Sequence, residues 1–380
     1  MIINELSVVN IRNHAATELR FSPRINVLSG NNGAGKTSLL EAISICGLTK
    51  SFLPVADTGI VRRGENNYQI ALRAENSLGV PYSVSIKCFL GARKQIANSF
   101  ADHNSVKDII GQLPLVILSP DYKSITFGSP EDRRSFIDSV LCQTSKIFLD
   151  ELLKFRKALK QRNNLLNTFK LTKTQDFSLL EPWTDMLITL GASIIHRRAK
   201  FVSELVPYFR EHYAELSSGR EAVDLAYLAN HLPESEPAEK FSKEQLHDSL
   251  SVKYSLVRSD ELRRGTTLFG PQKDELRIGI NGGTAKEYAS QGQHKSLLIA
   301  LKFAEFFYMK DRRNEIPVVL LDDIFSELDR ERSSKVLEML SRQSAQTFIT
   351  VTDADSLKEI LPIGEEKAIF EIHDGHIIGN

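Results

Sequence analysis

The chain has 380 residues, long enough for two domains or for one large domain carrying an insertion. At 42% hydrophobic and 25% charged residues it reads as an ordinary soluble globular protein rather than a disordered one. Basic and acidic residues number 48 each, so bulk charge gives no attraction to nucleic acid, and any such contact has to come from a local basic patch. Cys46, Cys88 and Cys142 stand far apart, which argues against a structural zinc site or disulfide framework and fits a reducing cytoplasm. Met1 to Glu5 lacks the basic start of a signal peptide, and no apolar run reaches the roughly 20 residues needed to span a bilayer. The expected location is the cytoplasm, with no membrane partner.

In chain order, the first 50 residues predict two short strands, a buried strand at Ile25-Asn26-Val27-Leu28, a glycine-bearing loop and a helix. Leu6 and Val8 would share one face of the first strand, with Val9 and Ile11 on the other. The helix carries Leu39, Leu40, Ala42, Ile43 and Ile45. From about Val61 to Asp102 the pattern turns to short alternating segments, Tyr68–Arg73 and Tyr82–Lys87, separated by turn residues between Asn76 and Pro81. These predict an antiparallel meander beside the core. Leu115-Val116-Ile117-Leu118 is a further buried strand.

Ser129 then offers a helix N-cap, Pro130 suits the first helical position, and Glu131 and Asp132 suit the positive end of the helix dipole. From there to about Lys253 the chain reads as mostly helical, with breaks expected at Pro182, Pro207, Pro233 and Pro237 and a loose linker over Pro233–Lys240. The last 130 or so residues return to alternating strand and helix signals. They end in Ala368–Ile372 and His376–Ile378 around Asp374-Gly375, a hairpin signature.

Three segments carry chemistry. Gly30-Asn31-Asn32-Gly33-Ala34-Gly35-Lys36-Thr37 matches G-x-x-x-x-G-K-[ST], in which bare glycines let backbone N–H groups curl around phosphate oxygens. Lys36 would reach the outer phosphates of ATP, Thr37 would ligate Mg²⁺, and the following helix adds its positive end. The apolar run Val318–Leu321 ends in Asp322 and Asp323, as a central parallel strand facing a ligand crevice would. Asp322 would hold the magnesium shell, and Asp323 would orient or deprotonate the attacking water. ABC proteins commonly place Glu at the second position. Ser290-Gln291-Gly292-Gln293 opens a helix and reads as a capping box between Ser290 and Gln293. A serine hydroxyl, a bare glycine and a helix N-terminus also make an anion site, as in the ABC signature, where they face ATP bound by an opposing subunit.

Together these segments resemble the RecF family, bacterial recombination mediators related to SMC-type ATPases, and the resemblance covers nearly the whole chain. Asn10-Ile11-Arg12-Asn13-His14 resembles the family's Asn-Phe-Arg-Asn-Tyr, which implies Arg12 as a phosphate or base contact. Gly128–Asp138 resembles Gly-Ser-Pro-x-x-Arg-Arg-x-Phe-Leu-Asp, Gly270–Glu275 resembles Gly-Pro-His-Arg-Asp-Asp, and Tyr288–Lys295 resembles Tyr-Ala-Ser-Gln-Gly-Gln-Gln-Arg. Leu321–Asp329 resembles the family's acidic pair and Ser-Glu-Leu-Asp loop. The resemblance implies an α/β fold, an ABC-type P-loop ATPase head with an antiparallel β subdomain and a mostly helical insertion. The expected division is 1–128 and 256–380 for the head and 129–255 for the insertion. It also implies an ATP-dependent homodimer, DNA as duplex and gap junctions, RecO and RecR as partners, and ATP hydrolysis acting as a switch in gap repair and replication restart.

Two other readings stay open on sequence alone: the ATPase subunit of a transporter and an SMC-like nuclease-associated ATPase. The long insertion and Thr352, where many transporters have a switch His, disfavour the first. No convincing carboxylate cluster outside the nucleotide motifs supports the second. Basic residues gather at Lys154, Arg156, Lys157, Lys160 and Arg162, at Arg197, Arg198 and Lys200, and at Lys253, Arg258, Arg263 and Arg264. They read either as solvated helix faces or as a phosphate track.

Overall fold

The computed structural model describes residues 1–100, 105–173, 176–217, 219–357 and 366–379. In chain order the strands begin with β1 (Ile2–Ile11), β2 (His14–Arg20) and β3 (Ile25–Ser29), followed by helix α1 (Lys36–Leu48). Then come β4 (Asn67–Glu75), β5 (Pro81–Phe89), β6 (Gln95–Asn98) and β7 (Leu115–Leu118). The longer helices α2 (Pro130–Thr144), α3 (Lys146–Thr172) and α4 (Glu181–Ser217) precede β8 (Val223–Leu228) and α5 (Lys243–Arg264). The chain continues through β9 (Glu275–Ile280), β10 (Gly283–Thr284), α6 (Gln291–Arg313), β11 (Val318–Leu321), α7 (Arg330–Arg342), β12 (Thr347–Val351), β13 (Lys367–His373) and β14 (His376–Gly379).

The chain forms two compact units, one of Met1–Lys123 with Glu305–Asn380 and one of Ser124–Ala304. The first holds two sheets. The expected meander is present as an antiparallel sheet in the order β2-β1-β4-β5-β6; Asp102, where the strand-rich stretch was expected to end, lies outside the described residues. The second sheet runs β14-β13-β3-β12-β11-β7. Every pairing in it is parallel except that of β13 with β14. All residues of β3, β7, β11 and β12 are buried, as strands covered on both faces must be. Helix α1 packs against strands of both sheets and is buried on every side, which is why its sequence shows no polar stripe.

The first strand departs from the expected alternation. Leu6 and Val8 are buried together, but Ile11 joins them on the buried face while Val9 is half-exposed. The register of β1 on β4 shifts between Ile3 and Glu5, and Asn10 has φ 56°, so the period of two breaks at both ends of the strand.

In the second unit Ser129 caps α2 and forms a capping box with Asp132, with Pro130 leading the helix, as the sequence predicts. The break expected at Pro182 falls between α3 and α4, with Pro182 in the first turn of α4, whereas the one expected at Pro207 does not occur, since Pro207 lies inside α4. Pro207 costs one backbone hydrogen bond, which a helix buried at regular spacing along its length offsets. The Pro233–Lys240 segment ends in a short 3₁₀ turn with Ala238 buried. Residues 256–304, which the sequence reading assigns to the head, fall in this second unit. Here β9 pairs with β8, Glu261 and Thr267 bind the buried Arg162, and Glu275 pairs with Arg133.

Candidate nucleotide site

The phosphate loop joins the C-terminal end of β3 to α1, in the first unit. Gly30 has φ 147° and Gly35 φ 113°, both in the region that favours glycine. A Cβ on Gly30 would lie 2.2 Å from the Ile372 carbonyl oxygen of β13, and one on Gly35 would lie 2.6 Å from His14 Nε2. These glycines are required by close approach as well as by torsion.

Lys36 is buried and donates from Nζ to the carbonyl oxygens of Gly30 (2.6 Å) and Asn31 (2.9 Å). Burial lowers its pKa, while the carboxylates of Asp323 and Asp322 work in the opposite direction. The ammonium therefore sits in the mouth of the loop with carbonyl oxygens as its ligands. The outer side of the loop is held separately: Asn13 Nδ2 donates to Gly33 O, the Gly375 N–H donates to Ala34 O (2.9 Å), and His14 Nε2 bonds Gly35 O (3.1 Å).

Across from the loop, β11 delivers Asp322 to the start of α1. Thr37 Oγ1 donates to Asp322 Oδ1 over 2.8 Å, and Thr350 Oγ1 on β12 donates to the same oxygen over 2.9 Å. Burial raises the Asp322 pKa, against the lowering effect of these two hydrogen bonds. Thr37 and Asp322 are hard oxygen donors of the kind magnesium takes, and they fit a site in which the metal keeps several waters. No cluster of three or more His, Cys, Asp or Glu side chains able to hold a metal occurs among the described residues. Asp323 is exposed, has φ 48°, and donates its backbone N–H to Thr350 Oγ1 (2.8 Å). Aspartate tolerates this left-handed geometry better than most residues with a side chain.

Arg12 is engaged with protein. Its Nε and Nη2 donate to the two carboxylate oxygens of Glu41 on α1, each at 3.1 Å, and Ser51 Oγ donates to Glu41 Oε1 at 2.7 Å. In the loop after the acidic pair, Ser326 Oγ donates to Asp323 O (2.8 Å), Glu327 pairs with Lys123, and Asp329 caps α7.

The signature segment lies in the second unit. Its capping box is formed in both directions: Ser290 N donates to Gln293 Oε1 (2.6 Å) and Gln293 N to Ser290 Oγ (3.3 Å). Ser290 and Gln291 are exposed and Gly292 is half-buried. Gln293 Nε2 donates to Glu221, which also accepts from the Tyr213 hydroxyl.

The structure thus brings Lys36, Thr37, Asp322 and Asp323 together around Gly30–Gly35. Sequence reasoning assigned no site role to Thr350, Glu41, Asn13, His14 or Gly375. Thr350 ends a buried strand and Glu41 interrupts an apolar helix, so an isolated polar residue in an apolar run is the signal that could have found both.

The phosphate loop after β3 at the C-terminal edge of a mostly parallel sheet, with an acidic pair at the end of β11 one strand beyond β12, defines an ABC-type P-loop ATPase head. The AAA domain family matches over residues 5–181. SMC head domains share the fold, including one bound to the C-terminal winged-helix domain of ScpA, at TM-score 0.55 and 14% identity over 99% of this chain and 96% of that one. Two solved structures are nearer. One, described as the recombination mediator protein RecF-ATPrS in the RecFOR pathway, has TM-score 0.88 and 27% identity over 99% of this chain and 97% of its own. The other, described as RecF-ATP in the same pathway, has TM-score 0.87 and 28% identity, covering 100% and 97%.

Among curated sequences, the DNA replication and repair protein RecF of Chloroherpeton thalassium is 37% identical over 95% of this chain and 97% of its own length. That of Shouchella clausii is 32% identical over 99% of each. The chain belongs to the RecF family of DNA replication and repair proteins. Among the described residues no helix is long and apolar enough to cross a membrane.

Proposed function

We propose that the chain binds ATP with Mg²⁺ at Gly30–Thr37 and uses it to join two copies of itself into a clamp on DNA at single-strand gaps. The observation that carries this is the meeting of the Thr37 and Thr350 hydroxyls on one oxygen of Asp322, beside a lysine held in the mouth of the loop. The nucleotides named with the two similar solved structures support the same reading. Lys36 would move from the Gly30 and Asn31 carbonyls to the outer phosphates. The metal would offset phosphate charge, with Thr37 and Asp322 as its protein donors. Asp323, on the exposed rim, would orient the attacking water, making hydrolysis the step that separates the copies. Ser290, Gln291, Gly292 and Gln293 of one copy would face the phosphate loop of the other, using an exposed hydroxyl and a helix N-terminus. Arg12 would reach nucleotide only by loosening its pair with Glu41.

The protein would act in the cytoplasm, and its mediator partners would be RecO and RecR, in keeping with the pathway named for the similar structures. The test is the mass in solution, with and without saturating ATP, of wild type and of Lys36→Met. Wild type should shift to a dimer with ATP and the variant should not. Equal monomer fractions for the two would sink the switch.

A further inference from the structure

We propose that His14 is a positioning residue for the phosphate loop, holding it in its nucleotide-ready shape before any phosphate arrives; the inference rests on the ATP site proposed above. Where a loop turns successive N–H groups inward to cradle phosphate, the carbonyls of that stretch must turn outward. A bound phosphate supplies the inward attraction. Without one, the outward carbonyls need donors of their own, because unpaired backbone oxygens would draw the loop toward other conformations. Three consecutive carbonyls here have them. Gly33 O accepts from Asn13, Ala34 O from the Gly375 N–H, and Gly35 O from His14 Nε2 on its outer side, in addition to the Ser38 N–H of α1 (3.1 Å). The first and third donors come from the β1–β2 turn, and the second comes from the β13–β14 hairpin.

His14 is the buried side chain of the three donors. It is fully buried, whereas Asn13 is exposed and Gly375 contributes only backbone. Its ring abuts the loop so closely that Gly35 has no room for a Cβ. The chemistry of its neighbours fixes the tautomer. Burial lowers the ring pKa and favours the neutral form. Gly35 O can only accept, so the proton is on Nε2. Nδ1 is then bare and can accept the Thr17 hydroxyl at 2.9 Å, the nearer of that hydroxyl's two acceptors, the other being Gly375 O at 3.3 Å. Thr17, also buried, thereby orients the ring that orients the loop.

Three full-length variants test this. His14→Phe keeps an aromatic ring and removes the donor; His14→Gln carries an amide nitrogen near the position of Nε2; Thr17→Val keeps shape and removes the hydroxyl that sets the tautomer. Two quantities are read: the Kd for ATP and the hydrogen exchange of the Gly33–Thr37 amides in nucleotide-free protein. His14→Phe should raise Kd about tenfold, the scale of one lost buried hydrogen bond, and speed exchange across the loop. His14→Gln should restore both toward wild type, and Thr17→Val should fall between. Wild-type Kd and exchange in His14→Phe would overturn the proposal, as would His14→Gln behaving like His14→Phe. If His14→Phe fails to fold, Thr17→Val decides: unchanged Kd and exchange there count against the proposal, and a change in both supports it. Failure of the ATP site itself looks different, with no binding by wild type or by Lys36→Met, while the exchange of the empty loop still reports on His14.

Discussion

Thr37 and Asp322 stand 285 positions apart in the chain, yet the threonine hydroxyl donates to Asp322 Oδ1 over 2.8 Å. The parallel sheet makes the meeting possible. Leu321 pairs with Ile349, and Ile349 with Val27, so the ends of β11, β12 and β3 come level at the start of α1. The arrangement places a buried carboxylate where protein alone neutralises it poorly, and its pKa is raised as a result.

The first prediction follows from that carboxylate. A raised native pKa means the folded chain binds the Asp322 proton more tightly than the unfolded chain does. The group's contribution to stability is therefore full at low pH and is lost as pH rises through the raised value. Asp322→Asn, whose amide oxygen can still accept from Thr37 and Thr350, should raise the thermal midpoint of the nucleotide-free protein at neutral pH by roughly a few degrees, because it removes the cost of burying the charge. The gain should shrink as pH falls through the Asp322 pKa. Magnesium-dependent ATP binding should be lost in the same variant. Thermal melts of both proteins from pH 7.5 down to 5 decide it, and a midpoint that does not rise at neutral pH would contradict the account.

Much of this site was legible in sequence because its parts are contiguous. The phosphate loop and the acidic pair each occupy a few adjacent residues whose types have a mechanical reason to occur together. What was not legible depends on distant partners. Nothing around Thr350 says that its hydroxyl reaches across to Asp322, and nothing around Gly375 says that its N–H holds Ala34 O. The same holds for the fold. The Asp374-Gly375 hairpin and the Ser129 cap are local and were readable. The β8–β9 pairing and the burial of Arg162 against Glu261 are long-range, so the second unit runs on past residue 255.

Arg12 gives the second prediction. Glu41 is almost fully buried and has the Arg12 guanidinium and the Ser51 hydroxyl as its side-chain partners. Arg12→Ala should cost about 2 kcal/mol, less than a fully buried pair because Arg12 itself is part-exposed. Arg12→Met combined with Glu41→Leu should recover most of the loss, since the uncompensated carboxylate goes with its partner. Urea unfolding of the single and double variants measures both. If ATP affinity recovers along with stability, Arg12 acts through Glu41; if it stays low, Arg12 touches nucleotide.

Gly30 gives the third. Alanine there meets both a disfavoured φ of 147° and a Cβ only 2.2 Å from the Ile372 carbonyl oxygen. Neither can be relieved by a rotamer change, because the clash is with backbone. Gly30→Ala should lose about 3 kcal/mol of stability. Exchange protection should drop first in β13 and β14, the hairpin that Ile372 and Gly375 tie to the loop. A variant that melts like wild type would show that the loop can yield without the hairpin.

The basic residues give the last prediction, because the structure sorts what the sequence could only count. Arg162 is 1% exposed, with its guanidinium bound to Glu261, Thr184 and Thr267. Arg198 is 3% exposed and binds Asp138 and the Pro271 carbonyl. Neither can reach a phosphate backbone. Arg156 and Arg197 are tied to Asp138 and Glu151. Within the first of the three basic groups this leaves Lys154, Lys157 and Lys160, exposed at helical spacing along α3. Changing all three to Gln should leave the fold intact and weaken duplex binding. If all three meet phosphates, the slope of log K against log salt should fall by about 2.7, since each neutralised phosphate contributes about 0.9. Arg162→Met should instead unfold the protein at lower urea, by about 3 kcal/mol, because Glu261 would be left charged and buried. Binding titrations at two or more salt concentrations separate the cases. An unchanged slope in the triple variant would mark the lysines as a solvated face and move the DNA surface elsewhere.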